Sequence, residues 1–554
     1  MKRRKSRQVG KIHENLKVWA LWYGGVGIST LENGKKVLIK WALPDSIVDV
    51  KIVKKKRDYL TGHIIKVHKV DEKWLDGDLR CPHHMSPYVP SPQTPLPTTS
   101  LGEGQSDPHI ESKKWCGGCK RQAISYTKQL ELKQDIVADC FSKFPKVEML
   151  PIVWSPLQFG YRNKIEFSFG KYLRREFDPT NESKPHERPF VVAEHWQMGF
   201  HKQGEFSKVV DIDQCYLVSP KMHEVYNRIK SDLKNSGLPV HDAKTHHGLL
   251  RHLMIREWVH TDHILVNLSI ASDHFADHPK HEQLWRDVLK KRKQDSELHE
   301  KVTTFVLSSN NGLADIMRDP DTTHEVIWWE GKIYEELHLK KSEERKWSQK
   351  NQIDHQTSSD TSSDFITMRF AISPASFFQT NTSGAEVLFA TASEMVGEVW
   401  GNVIDLYCGG GSIGQIFLWL WQWQRVKGIE IVPAAIQDAK YNAKINHLSD
   451  RCDYYVGKAE KVVKEWVIDG EFLVWDDLVI VDPPREGMHL DVVKFLIQLK
   501  QYHKYRLCYI SCNPITMARD IWLLLESWLF DFQSLQPVDM FPHTHHIECV
   551  GMLG

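Results

Sequence analysis

The stretch VIDLYCGGGSIG, residues 403–414, is a short apolar run that breaks into three glycines and resumes as a helical pattern. A buried strand, a tight glycine turn and a helix opening on it let the backbone approach a nucleotide closely. A dinucleotide fold produces a similar string, so the stretch sets the fold class and leaves the ligand open. GIEIV (428–432) places the acid Glu430 at the end of the next strand, where its carboxylate can hold ribose hydroxyls. DLVIVDPPREG (477–487) and YRLCYISCNP (505–514) are further buried-strand runs ending in turns, separated by helical segments such as PAAIQDAKYNAKIN (433–446). The alternation predicts an α/β parallel sheet with a site at the C-terminal ends of its strands.

Outward from this unit the chain is long and varied. Its 554 residues exceed one hydrophobic core, and 41% hydrophobic and 26% charged residues describe a globular protein. No run reaches the roughly 18 apolar residues of a membrane span. MKRRKSRQVG at the start is basic, but the apolar VWALWY behind it runs into GGVG. That is a poor secretory signal, and a cytoplasmic protein with no membrane contact is expected. Net charge is +1, yet residues 1–70 carry 17 Lys and Arg against 5 Asp and Glu. A basic end on an otherwise acidic chain points to a polyanion, most simply nucleic acid, with Lys51, Lys54, Lys55, Lys56 and Arg57 as the patterned face.

Residues 8–70 alternate short β-rich runs with glycine turns and predict a small β-barrel, OB-like in pattern. Residues 71–370 are expected to form a central α+β domain, and 371–554 a Rossmann-like α/β domain. Segments near 85–112, 274–302 and 339–364 are Pro/Ser/Thr-rich or charged and are expected to be surface insertions. The ten cysteines do not describe a disulfide framework. Cys140 sits on a probable helix and reads as core. WCGGCKRQ (115–122) supplies Cys116 and Cys119, with Cys81 upstream and Cys215 downstream. Four thiolates suit zinc or an iron–sulfur cluster, and spacing does not choose between them; His83 and His84 compete with Cys81.

YISCNPITM (509–517) places Cys512 between an apolar run and an Asn-Pro turn, where packing residue, metal ligand and nucleophile are all open. Asp482-Pro483-Pro484 fixes an acid at the sheet edge, because two prolines stiffen the turn. Amino-group methyltransferases resemble this but follow the prolines with an aromatic. Arg485 stands there instead, which disfavours an amino target and favours carbon.

SFFQTN (376–381), DLYCGGG, DPPREG, SCNP and MFPHTHHIE (540–548), in that order, resemble the S-adenosylmethionine-dependent RNA uracil-5-methyltransferase family. The likeness runs through residues 66–554, and the N-terminal barrel resembles the TRAM domain of many members. It implies that Cys512 adds to uracil C6 and that Glu548 removes the C5 proton, since C5 alone is too weak a nucleophile to attack a methyl sulfonium. Asp482 would hydrogen-bond the uracil edge beside the cofactor. Gln379, Tyr407, Ser412, Glu430 and Lys458 complete the implied cofactor contacts. The resemblance favours a 4Fe–4S cluster on Cys81, Cys116, Cys119 and Cys215 over zinc, although 34 residues separate Cys81 from Cys116 where the family has a handful. GYRNKIEFSF (160–169) resembles the family's RNA-contacting segment, with Arg162 and Lys164 to neutralise phosphate and Tyr161 to stack on a base.

The expected partner is structured RNA, ribosomal preferred and transfer RNA possible, acted on by a monomer. A cytosine-C5 methyltransferase also needs a cysteine, but places it after a proline. A non-catalytic RNA-binding factor has no need of Cys512, Glu548 and Asp482 together.

Overall fold

A computed structural model describes residues 8–82, 116–177, 190–202, 205–313, 317, 321–340, 365–374, 377–397, 401–421, 424–462 and 477–554. The basic tail 1–7, His83, His84, the 85–112 segment and most of 339–364 lie outside the described residues. Among those described, no helix is long and apolar enough to cross a membrane.

The N-terminal sheet holds β1 (Ile12–Lys17), β2 (Ala20–Trp22), β3 (Val26–Thr30), β4 (Lys36–Lys40), β5 (Ile47–Lys55) and β6 (Tyr59–Lys69). Its order is β1-β5-β6-β4-β3-β2, and among the described residues no pairing joins the two edges. β1 and β2 follow each other directly, β1 pairing with β5 and β2 with β3. At their junction Trp19 N–H donates to the Ile28 carbonyl at 3.0 Å and Ser29 Oγ to the Lys17 carbonyl at 2.8 Å. The bulged sheet wraps round one small core of Val18, Val37, Ile39, Val48, Val50, Ile52 and Leu60.

Helix α1 (Tyr126–Cys140) and the short β7 (Glu148–Met149) precede a second sheet. That sheet comprises β8 (Lys164–Phe177), β9 (Phe190–Lys202), β10 (Glu205–Asp211), β11 (Leu250–Glu257), β12 (Ile264–Ile270), β13 (Thr304–Ser309) and β14 (Thr323–Trp328), with α2 (Pro220–Lys234) packed on it. Between the parallel β12 and β13 run α3 (His274–Asp277), α4 (Pro279–Lys293) and α5 (Ser296–Lys301). The 274–302 segment is thus a helical crossover and not a surface insertion. Trp285 and Leu298 are buried in the sheet's core, with Val288 and Leu289 packed against it. Their i, i+3, i+4 spacing is obscured by the surrounding charge.

The hairpin β15 (Ile333–Lys340) and β16 (Phe365–Ile372) leads into α6 (Thr382–Val396). The expected division at 370 falls inside β16. The last unit contains β17 (Val403–Leu406), α7 (Ser412–Trp421), β18 (Val426–Glu430), α8 (Pro433–Ile445), β19 (Cys452–Val456) and β20 (Asp477–Val481). It finishes with α9 (Leu490–Tyr502), β21 (Tyr505–Ser511), α10 (Pro514–Leu525), β22 (Phe532–Val538) and β23 (Glu548–Leu553). Strand order is β19-β18-β17-β20-β21-β23-β22-β7. The first five are parallel, and β23 runs antiparallel to β21.

Period-two alternation divides each strand between two cores. Leu478 and Ile480 face α6, α7 and α8, while Val479 and Val481 face α1, α9 and α10. Burial on both faces explains why these strands read as unbroken apolar runs. Chain direction across the sheet reverses between β17 and β20, the point where open α/β sheets leave a crevice at their carboxyl edge. Residues 126–153 belong physically to this body, since α1 packs on it and β7 extends its edge.

Candidate active site

The glycine turn after β17 is pinned by buried polar groups. Asp405, fully buried within an apolar strand, accepts from the Gly414 backbone N–H at 3.0 Å. Burial raises its carboxyl to about 7. Gly411 has φ +75°, and a Cβ there would fall 2.6 Å from the Tyr454 hydroxyl. Glu430 leaves β18 and turns back on this loop, accepting from Gly409 N–H at 3.3 Å and Val432 N–H at 3.0 Å. Ser412 opens α7, and Tyr407 packs against the α9 side, its hydroxyl accepting from the His489 backbone. Lys458 is exposed just beyond β19.

The second half of the site comes from strand register. Ser511 on β21 pairs with Cys549 on β23. One step outward, Cys512 and Glu548 therefore oppose each other at the edge of the sheet. Asp482 follows β20, the neighbouring strand. Burial, then the Glu548 and Asp482 carboxylates, push the Cys512 thiol up to about 12, and a hydrogen bond from Arg485 opposes them. Burial and Asp482 hold the Glu548 carboxyl well above its usual range. Burial also brings Asp482 to about 7. Cys512 and Glu548 thus share the Arg485 guanidinium, while Asp482 adds only its negative charge to both. When Glu548 carries a proton, its repulsion of a Cys512 thiolate disappears.

Backbone ties lock the two loops of this cluster together. The Arg485 carbonyl accepts from Asn513 Nδ2 at 2.8 Å and Thr516 Oγ1 at 3.2 Å, and Arg519 donates to the Glu486 carbonyl at 3.0 Å. Asp520, buried, receives Met488 N–H at 2.8 Å and the Tyr509 hydroxyl at 2.7 Å. Gly487 (φ +80°) admits this approach, since a Cβ would meet Asp520 Oδ2 at 2.5 Å.

The loop carrying Glu548 is gripped from residues far upstream. Lys133 on α1 donates to Asp539 at 2.6 Å and to the Phe541 carbonyl at 3.0 Å. Gln129 Oε1 accepts from His543 N–H at 2.8 Å, and Arg121 N–H donates to the His543 carbonyl at 3.0 Å. Asn381 caps α6 and donates to the Met540 carbonyl at 2.8 Å. Gln379 is buried beside it, its carbonyl accepting from Asn163 at 3.0 Å. SFFQTN is thereby laid against MFPHTHHIE; Ser376 lies outside the described residues.

Cys81, Cys116, Cys119 and Cys215 all line one open cavity of about 960 Å³, together with Arg162, Lys164 and Thr380. All four are free thiols. A hydrogen bond from Cys81 lowers the Cys116 thiol to about 7, helped by the Gly118 and Cys119 amides, whereas burial raises Cys119 and Cys215. Among the described residues, no three His, Cys, Asp or Glu side chains are gathered closely enough to hold a single metal ion.

The structure corrects one expected RNA contact. Tyr161 is 1% exposed and its hydroxyl donates to the Pro542 carbonyl at 3.0 Å, leaving no ring face for a base. Arg162 donates to the Lys164 carbonyl at 2.8 Å, and Lys164 pairs with Glu166, both facing the cysteine cavity. The sequence reading passed over Asp405, Asp520 and the Lys133–Asp539 pair. A charged residue inside an apolar run, as in VIDL, is the signal that could have found the first.

The chain is similar to known proteins in sequence and in fold. A model of the tRNA (uracil-5-)-methyltransferase family matches residues 348–554. An "uncharacterized RNA methyltransferase" of Porphyromonas gingivalis is 30% identical over 523 residues, covering 93% of this chain and 95% of its own. Another from Clostridium tetani is 28% identical over 544 residues, covering 98% and 97%. The crystal structure of Pyrococcus abyssi tRNA (uracil-54, C5)-methyltransferase with S-adenosyl-L-homocysteine shares the fold, with a TM-score of 0.60 and 23% identity over 98% of this chain and 100% of that one. The chain belongs to the RNA uracil-5-methyltransferase family, a class of S-adenosylmethionine-dependent enzymes.

Proposed function

We propose that the protein methylates C5 of a specific uridine in structured RNA through a covalent Cys512–C6 adduct. The placement of Cys512 opposite Glu548, with Asp482 and Arg485 alongside, carries this reading. Cys512 first gives its proton to solvent, and the thiolate, its charge offset by Arg485, then adds to C6. The resulting enolate makes C5 nucleophilic. S-Adenosylmethionine supplies the methyl group as a sulfonium; Glu430, Ser412, Tyr407, Gln379, Lys458 and Asp482 are the residues to hold it. The Glu548 carboxylate then takes the C5 proton, and the C6–S bond breaks to return the thiolate. Uracil C5 and C6 lie within the base stack, so the nucleotide enters flipped or unpaired.

The proposal includes a four-iron cluster that Cys81, Cys116, Cys119 and Cys215 would hold, supported by the four free thiols lining one cavity. A cubane spreads its ligand sulfurs over separate irons and tolerates a looser set of thiols than one tetrahedral ion does. Its role here is structural and electrostatic, next to the segment that grips the catalytic loop. Arg162 and Lys164 at its rim and the exposed Lys54–Arg57 run are the proposed RNA contacts.

23S ribosomal RNA is the preferred target, methylated by a cytoplasmic monomer. Transfer RNA is the second reading, favoured by the name of the matching family model. The test is nucleoside mass spectrometry after incubation with S-adenosylmethionine and transcripts of each RNA. We expect 5-methyluridine in one of them. Its absence from both, with cofactor bound, would sink the reading.

A further inference from the structure

We infer that Tyr23, delivered by the N-terminal sheet, positions the Cys512 nucleophile, so that this sheet contributes to turnover and not to RNA affinity alone. The inference rests on the uracil-C5 reading above for its kinetic consequence, but its geometry stands independently.

The turn between β2 and β3 reaches into the methyltransferase body. Leu21 is buried in the same core as α1, α9 and α10, with Tyr23 and Leu43 packed against it. The Gly25 backbone lies against His545 and Arg121, flanking the loop that carries Glu548. At the tip of this turn the half-buried Tyr23 donates its hydroxyl to the Cys512 carbonyl at 3.3 Å.

That carbonyl has particular need of a partner. The β21–β23 ladder pairs residues only as far as Ser511, and α10 begins at Pro514. Asn513 is occupied as helix cap and by Ser511 Oγ, which receives its N–H at 3.1 Å. Cys512 thus lies in a two-residue joint between strand and helix, and an unpaired buried carbonyl there carries a desolvation penalty. Tyr23 supplies the missing donor. Its hydroxyl is also within electrostatic reach of the Cys512 thiol, Arg485 and Glu548. Losing the hydroxyl frees the joint to rotate and moves sulfur off the line of attack on C6, where small misplacements are costly in rate.

Tyr23→Phe keeps the ring and its packing while removing the donor. We expect kcat to fall about three- to ten-fold, the loss matching one neutral hydrogen bond. KM for RNA should stay as in wild type, and the melting temperature should fall only slightly, by the cost of one unmade hydrogen bond. In parallel, alkylation of Cys512 by iodoacetamide, followed by peptide mass spectrometry on the full chain without RNA, should speed up by about two-fold or more as the joint loosens. Unchanged kcat together with unchanged alkylation would overturn the inference. A wild-type protein that makes no 5-methyluridine sinks the uracil reading instead, and the alkylation rates still decide the role of Tyr23 without any turnover.

Discussion

The Lys133 ammonium lies 2.6 Å from the Asp539 carboxylate, and both side chains are fully buried. The pair joins α1 to the loop that leads into Glu548, so a remote contact fixes the proposed base. Burial lowers the Lys133 pKa while Asp539 opposes the shift, the balance expected of a desolvated pair. Lys133→Met leaves Asp539 buried without its ion-pair partner, keeping only the Phe541 N–H at 3.0 Å, the Tyr126 hydroxyl and the more distant Arg121. That loss costs up to about 3–5 kcal/mol. Urea unfolding should show this loss, and adding Asp539→Leu should recover much of it. Equal stability of Lys133→Met and wild type would show that the pair is dispensable.

Cys512→Ala should abolish methyl transfer while leaving RNA and cofactor binding intact. Glu548→Gln should stall one step later, after the methyl group has moved but before the C5 proton leaves. A covalent RNA–protein adduct should then accumulate on denaturing gels. Normal product release from Glu548→Gln would remove Glu548 as the base.

The pH dependence of stability should carry the signature of Asp405. Its folded carboxyl is raised to about 7 from an ordinary 3.8, so the folded state binds the extra proton in between. Stabilisation is complete below about pH 4 and is lost as pH rises to 7, at no more than about 1.4 kcal/mol per pH unit. Asp405→Asn, which can still accept from Gly414, should match wild type at pH 4 and melt at a higher temperature than wild type at pH 8. Parallel melting curves at both values would contradict the buried, unpaired charge.

Anaerobically purified protein should be brown, with about four irons per chain. Cys119→Ser should lose the colour, and Cys140→Ser should keep it, since Cys140 lies at the end of α1 and packs against the methyltransferase core. One zinc and no iron would overturn the cluster.

Lys54, Lys55, Lys56 and Arg57 are exposed on the β5–β6 hairpin. Replacing all four by Ala should raise KM for RNA and flatten the log–log salt dependence by roughly 0.7–0.9 for each phosphate no longer neutralised. kcat should hold, in contrast to Tyr23→Phe, because the run does not touch the Cys512 loop. An unchanged salt slope would mean that the run only solubilises.

What the sequence disclosed was whatever has a local signature. Strand–glycine–helix at 403–414, the acid ending β18 and the Asp-Pro-Pro turn each depend on neighbours in the chain, and each falls where the pattern placed it. Contacts over long separation left no such trace. Tyr23 and Cys512 are 489 residues apart, and nothing around either one announces the other. Tyr161 misled because an aromatic between charges resembles an exposed strand, whereas tertiary packing turned it inward against Pro542. The 274–301 helices were hidden because a few well-spaced apolar residues suffice to dock a helix.

The separation of 406 residues between Lys133 and Asp539 also dictates a timetable. During synthesis α1 emerges early, yet the β22–β23 hairpin it must cover is made hundreds of residues later. Until then its apolar face has only earlier residues such as Leu21 and Trp74 to pack against and its lysine lacks Asp539, and closing so long a loop is slow. A nascent or truncated chain lacking residues after 531 presents an unfinished, adhesive surface and lacks the proposed base. The same clasp that gives Glu548 its precision makes assembly of the site one of the last events in folding.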